Sequence, residues 1–285
     1  MGVLVLGVVY FRETNKLNDA QAEIVTLEGN VSTLEGNISA LEVNLVDAEA
    51  RVLALEAELL VTFPDANLKA AIHEVIGKPQ GPIYKSDLES LTTLEVRGAL
   101  EVRGSVTSDL TGLEYCTNLE ELSLGINNIS NISPLAGLTD LTELSLQSNN
   151  ISDISALAGL TNLEALNLGN NNSSDISALA GLTNLRSLAL EGNNISDVSP
   201  LAGLTNLETL GLRDNNISDI SSLAGLTNLQ ELYLNNNDIS DISVLVANSG
   251  LSAGDTVYLS GNPLSTTSVD VYIPQLEERG VNIIY

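Results

Sequence analysis

The sequence predicts an α/β solenoid: a parallel β-sheet horseshoe with a helical cap at each end, preceded by a long coiled-coil helix. Three observations carry that prediction. Leucines recur with a period of 22 residues from Leu119 to Leu229. An earlier stretch, residues 17–59, repeats apolar residues at alternating steps of three and four. Hydrophobic residues make up 44% of the chain but aromatics only 3%, with no Trp, so the core must be built from Leu, Ile and Val.

The charge balance narrows the partners. Against 37 acidic residues stand 11 basic ones, a net charge of −26. Such a surface repels a nucleic-acid backbone and anionic lipid headgroups. It attracts cationic partners or divalent cations, and it also keeps a protein soluble without any partner. One cysteine, Cys116, excludes an intrachain disulfide.

Taken in order, the first element is an apolar run within residues 1–12, GVLVLGVVYF, followed by Arg12 and Lys16. It is shorter than the ~20 residues of a membrane-spanning helix. No basic residue precedes it and no small-residue cleavage site follows, so it makes a poor signal peptide. Two readings stand: the tail of a longer membrane anchor, or an apolar start to the coiled coil.

Residues 13–60 form the coiled coil. Ile24, Val31, Ile38, Leu45, Val52 and Leu59 take the a positions, and Leu27, Leu34, Leu41, Ala48 and Leu55 take d. β-Branched residues at a with Leu at d favour a parallel dimer, with a trimer as the alternative. Glu28, Glu35, Glu42, Glu49 and Glu56 fill every e position. Antiparallel pairing sets them against one another, whereas parallel pairing sets them against Asn30, Asn37, Asn44 and Arg51 at g. Gly29 and Gly36 each cost about 1 kcal/mol of helix propensity, so the helix needs its partner.

Residues 61–112 read as an N-terminal helical cap and an irregular first repeat. Pro64-Asp65 opens a helix that Gly77 terminates. Ser86 and Glu89 match a capping box before a second short helix. His73 lies on the first of these helices as a cap residue. Residues 93–104 read TLEVRG-ALEVRG, a tandem duplication of which one copy is expected to form the first strand and the other an enlarged loop.

Residues 113–250 hold the regular repeats. Core leucines follow each first Leu at +3 and +5, Asn127, Asn149, Asn171, Asn193, Asn215 and Asn237 fall at +8, and Ile129-type residues at +10. The leucines of LxxLxL point inward from a short strand. The Asn amide satisfies backbone groups of neighbouring turns. The segment after Ile, SDISPLAGL in its fullest form, makes the return leg as a tight helical turn. No repeat buries its leucines alone, so stacking is required. Ser173 replaces Ile in the third repeat, which predicts a weak spot of about 1–3 kcal/mol. Residues 251–285 cap the far end: a degenerate strand through Val257, Leu259 and Asn262, a helix around 269–276 kinked or delayed by Pro274, Gly280, and a strand at 281–285.

These repeats closely resemble the 22-residue leucine-rich repeats of bacterial internalin-like proteins, whose units end in an N-N-I-S-D-I-S-P-L-A-G-L-T-N-L type sequence. The resemblance covers roughly residues 63–285. It implies a leucine-rich-repeat fold and a surface-located protein–protein recognition module that grips its partner with the concave sheet.

On that concave face the central column is Ser123, Ser145, Asn167, Ala189, Gly211, Tyr233 and Tyr258. The flanks carry mostly small and polar residues, with aromatics only at the C-terminal end. Aromatics and Arg anchor binding hot spots. The candidate contact patch is therefore Arg213, Tyr233 and Tyr258, with Glu231, Asn235 and Gln147 beside them; the alternative is a face that serves only as scaffold. A second column, Asp153, Asp175, Asp197, Asp219 and Asp241, has two readings. It could gather Ca²⁺, or each carboxylate could accept backbone hydrogen bonds within its own turn; the second is preferred, and no metal is assigned. Nothing indicates catalysis or a cofactor: there is no G-x-S-x-G elbow, phosphate loop or zinc spacing. Cys116 reads as a space-filling thiol. Asn-x-Ser sequons recur through the repeats, which suits a bacterial protein better than a eukaryotic secreted one. Two functions compete: a binding module displayed on a cell surface by a coiled-coil stalk, with a protein ligand, or a structural envelope spacer without a dedicated ligand.

Overall fold

The computed structural model describes residues 2–96 and 106–285. They divide into two compact units, residues 1–59 and 60–285. The first is one helix, α1 (Gly2–Leu59). Its a and d side chains lie open to solvent, Leu41 at 66% exposure and Val52 at 54%. No described helix is long and apolar enough to cross a membrane.

The second unit opens with β1 (Leu60–Val61), antiparallel to β2 (Ile83–Tyr84), around α2 (Ala66–Val75). The Asp65 carboxylate caps α2 by accepting from Asn67 N and Leu68 N, both at 3.0 Å. Gly77, at φ 65°, ends it: Lys78 N donates to His73 O and Gly77 N to Glu74 O, the paired bonds of a Schellman turn. The expected capping box is displaced. The short helix α3 runs Lys85–Leu88 with Tyr84 as its cap residue, and Asp87, not Glu89, reaches back to accept from Tyr84 N at 2.8 Å. Lys78 pairs with that same carboxylate at 2.8 Å, and the cap stands two residues ahead of Ser86.

Among the described residues the solenoid sheet contains nine strands in chain order, all parallel. They are β3 (Thr93–Glu95), β4 (Glu121–Ser123), β5 (Glu143–Ser145), β6 (Ala165–Asn167), β7 (Ser187–Ala189), β8 (Thr209–Gly211), β9 (Glu231–Tyr233), β10 (Thr256–Tyr258) and β11 (Asn282–Ile284). Leu122, Leu144, Leu166, Leu188, Leu210 and Leu232 stand in register across neighbouring strands. The other inward positions are equally closed: Leu124, Ile129, Leu135, Leu138 and Leu141 are all at 0% exposure. A 3₁₀ turn on the return leg, Ser133–Leu135 in the first regular repeat, brings each chain segment back to the next strand.

An asparagine ladder fastens the repeats to one another. Asn171 is typical. Its Oδ1 accepts from Ile151 N at 2.9 Å, and its Nδ2 donates to Leu146 O of the preceding repeat and Leu168 O of its own, both at 3.0 Å. The ladder starts at Asn127, which accepts from Thr107 N, and ends at Asn262, which accepts from Ile239 N. Its first rung explains the duplication. Leu94 pairs with Leu122, 28 residues on, yet Thr107 occupies the place of Ile129, 22 residues on. The irregular first repeat therefore carries six extra residues, the length of the duplicated unit. The first copy supplies β3; the second, at 99–104, lies outside the described residues. Cys116 takes the core position that Leu138 takes one repeat later, and burial with the Glu114 charge pushes its thiol up to about 12.

The far cap differs slightly from expectation. A π-helical turn, Ser268–Tyr272, runs directly into α5 (Ile273–Glu278), with Pro274 in the first turn of α5. Proline has no N–H to donate to the turn ahead of it, and the bonding passes from π to α at this point of the continuous helix. In the last repeat α4 (Ser243–Ala247) replaces the 3₁₀ turn. Arg279 binds the cap to it, donating to Val246 O and, at 3.1 Å, to Asn248 O.

Candidate binding surface

The parallel register aligns the outward residues of each strand into columns. Ser123, Ser145, Asn167, Ala189, Gly211, Tyr233 and Tyr258 face one another in sequence. Over the N-terminal strands these side chains leave a shallow trough of about 530 Å³, bordered by Glu121 and Glu143 and floored by Ser123, Ser145, Asn167 and Ala189. Its walls are acidic and its floor is small, so the trough has room for incoming side chains.

At the other end the column closes with two tyrosines. The rings of Tyr233 and Tyr258 stack with centroids 4.6 Å apart and planes 7° from parallel. Tyr233 OH donates to Glu231 Oε2 at 2.8 Å. That carboxylate, with partial burial, pushes the phenol up to about 12. Beside the pair, Arg213 Nε donates to Asp214 Oδ2 at 2.6 Å, and Asp214 Oδ1 accepts from Asn236 Nδ2 at 2.6 Å. Each partner favours the charged form of Arg213 or Asp214, raising the guanidinium and lowering the carboxyl. The guanidinium is thus held in place while remaining exposed.

Of the six candidate residues, Glu231, Tyr233 and Tyr258 lie on the adjacent strands β9 and β10, and Arg213 and Asn235 lie two residues beyond the ends of β8 and β9. Gln147 stands apart. It bonds the Ser145 hydroxyl and lies over Gly125, where an added Cβ would meet its amide at 2.7 Å. Four strand spacings of ~4.8 Å separate it from Tyr233, so it belongs to the trough.

Sequence reading missed two participants. Asp214 lies just beyond the strand, at φ 56°, outside the alternation used to pick outward residues; its place next to Arg213 in the chain was the available signal. Glu191 lies between the two regions. Its Oε2 is buried without a hydrogen-bond partner and packs 3.0 Å from where a Cβ on Gly211 would stand. Glycine on the following strand makes that position possible, a cross-strand relation that linear reading does not display.

The Asp column resolves toward local bonding. Asp153, Asp175, Asp197, Asp219 and Asp241 each accept from the backbone N–H of the serine two residues on, at 2.8 Å. Asn131 does the same in the first repeat, at 2.9 Å. These bonds hold the first four carboxyls below their ordinary value.

The fold and its open sheet face define a leucine-rich-repeat protein-interaction module. A family model for leucine-rich repeats (two copies) matches residues 139–181, 183–224 and 205–247. Among solved structures, an internalin (InlF) from Listeria monocytogenes is 38% identical, with a TM-score of 0.68; the match covers 78% of this chain and 63% of that one. Internalin C2 from the same organism is 37% identical, with a TM-score of 0.55, and the match covers 70% of this chain and 94% of that one. A leucine-rich-repeat protein of Leptospira interrogans matches at 25% identity and a TM-score of 0.59, over 71% of this chain and 51% of that one. No curated protein matches by sequence. The chain belongs to the internalin family of bacterial leucine-rich-repeat proteins, and it spans about two thirds of the length of the InlF structure it resembles.

Proposed function

We propose that this protein is a non-catalytic recognition module of the bacterial cell surface, displayed through its N-terminal helix and binding a protein partner along the open face of the sheet. The observation that carries the reading is the contrast between the two sides of each strand. The central inward position is Leu on every strand from β3 to β9, and Val257 and Ile283 on the last two. Outward positions differ from strand to strand, from serine and alanine in the trough to the stacked Tyr233–Tyr258 pair at the end. Packing requires the first pattern and not the second. Arg213, Tyr233 and Tyr258 supply the anchors, because Tyr and Arg dominate binding hot spots and these three are already ordered by ring stacking and by the Asp214 bond. Glu231 and Asn235 rim them, and Gln147 reads the partner from the trough.

Helix α1 contributes valency. Its exposed a/d seam pairs with a parallel copy, so that each assembly presents two or three recognition faces. Linking weak sites in this way raises avidity by ~10²–10⁴ without new contacts. The apolar run at 2–11 attaches the helix to the envelope.

The test is to pan a library of displayed natural protein domains against the intact chain. Enriched domains are expected to lose retention at least tenfold on the triple variant Arg213→Ala, Tyr233→Ala and Tyr258→Ala, and to keep it on Ser196→Glu on the return leg. Equal retention on both variants would refute the open-face assignment.

A further inference from the structure

Helix α1 carries a second apolar seam beside the one just invoked. Val43, Val46, Ala50, Leu53 and Ala57 again step by three and four, but on the b and f rows of the heptad. In a two-stranded coiled coil those rows face water and are the usual place for charge. Here no b or f residue between positions 22 and 57 is charged. The helix's charges from residue 22 to 59 lie on the e and g rows, with Asp47 as the one exception. Val43, Val46 and Leu53 are 69%, 66% and 66% exposed, as open as Leu41 of the first seam at 66%. At ~100° per residue the centres of the two seams lie roughly 150° apart around the helix. Pairing through the first therefore leaves the second uncovered.

We propose that this second seam is a lateral interface with another copy of the same helix, in parallel, so that coiled-coil oligomers of this protein associate side by side. The inference rests on the first-seam pairing of the proposed function. Two features select the occupant. A stripe that advances by three and four follows a left-handed supercoil, and only a helix with the same seven-residue period stays in contact along it. The chain itself supplies such a helix. Charge selects the direction. The glutamates of the e row border the second seam on one side, and Thr26, Thr33, Ala40, Asp47 and Ala54 of the c row border it on the other. Along the seam itself parallel copies set Glu42, Glu49 and Glu56 against Ala40, Asp47 and Ala54, with Asp47 the one like charge, whereas antiparallel copies set glutamate against glutamate throughout. Because the seams are nearly opposite, association through both does not close into a ring, and clusters grow with concentration.

Sedimentation of the full chain over a 100-fold range of concentration tests this, with two variants. Val46→Glu/Leu53→Glu charges the second seam without lowering helix propensity. Leu34→Glu/Leu41→Glu breaks the first. The wild type is expected to rise to at least twice the mass of its smallest oligomer. The second-seam variant should stay at that smallest oligomer with its helical signal intact, and the first-seam variant should lose it. A wild type fixed at two or three chains throughout, or a second-seam variant that clusters as the wild type does, overturns the lateral interface and leaves the first seam standing. A wild type that is monomeric throughout overturns both.

Discussion

The ladder asparagine of each repeat does more for this fold than any surface contact. Asn171 is 6% exposed and fills three backbone bonding sites at once. Removing its amide orphans the Ile151 N–H and takes one of two donors from Leu146 O and Leu168 O, which keep Asn149 Nδ2 and Asn193 Nδ2, at roughly 1 kcal/mol per bond lost. Asn171→Ala should lower stability by about 3 kcal/mol, whereas Asn172→Ala, one residue on and exposed, should change it by less than about 0.5 kcal/mol; chemical denaturation of the two variants checks this. Ser173 is the complementary case. It is fully buried, and its hydroxyl donates to Ile151 O at 3.2 Å. The cost expected from its sequence position therefore lies in lost packing and not in an orphaned hydroxyl. Ile151 O also accepts from Asn172 N, so Ser173→Ile leaves no carbonyl bare and should raise stability by about 1–2 kcal/mol. An unchanged melting temperature would contradict that. The Asp column predicts an acid effect. Folded Asp153, Asp175, Asp197 and Asp219 titrate below their ordinary 3.8 because they accept backbone hydrogen bonds. Depressed values stabilise the fold above the unfolded pKa, and that contribution disappears as pH falls through the folded values. The melting temperature should hold down to about pH 4 and fall below it. Replacing the four by Asn, which plays the same part at Asn131, should flatten that fall.

At the scale of elements, the caps decide what the repeats cannot. Asp65 accepts from two N–H groups of α2 and also from Ser108 N at 2.9 Å and Thr107 Oγ1 at 3.3 Å. It joins the N-terminal cap to the return leg of the first repeat. Asp65→Ala should therefore cost about 2 kcal/mol, at the upper end for a helix cap; Asp65→Asn should recover much of it, and thermal unfolding separates the two. The regular elements were legible in the sequence because each side-chain column repeats at a constant spacing: Leu122 to Leu232, the asparagines, and the serine-capping aspartates. The irregular ones were legible only in outline. α3 begins two residues earlier than its Ser86 motif suggests because Asp87 also has Lys78 to answer, a partner nine residues away that local spacing does not reveal. Pro274 marked a change in the C-terminal helix, but the sequence could not distinguish a kink from the π-to-α transition that occurs there.

For the whole molecule, a period of 22 residues was enough to indicate a stacked parallel sheet, since no repeat buries its leucines alone. The contact surface was less legible. Alternation identified which residues face outward, and the 22-residue period already places Gln147 four repeats before Asn235, but neither shows that Asp214 and Asn236 hold Arg213. That relation arises from packing across repeats. The resulting molecule combines a regular leucine core, a varied open face and a helix with exposed apolar rows, and the account stands or falls on whether partners meet the open face. The most direct measurement places a photo-crosslinking side chain at Ser187 or Thr209 on that face, or at Ser218 on the return leg, in intact producing cells supplied with candidate partner proteins. The account predicts discrete protein adducts from positions 187 and 209 and none above background from 218. Adducts confined to position 218, or an open face silent at both positions while position 218 reacts, would contradict it.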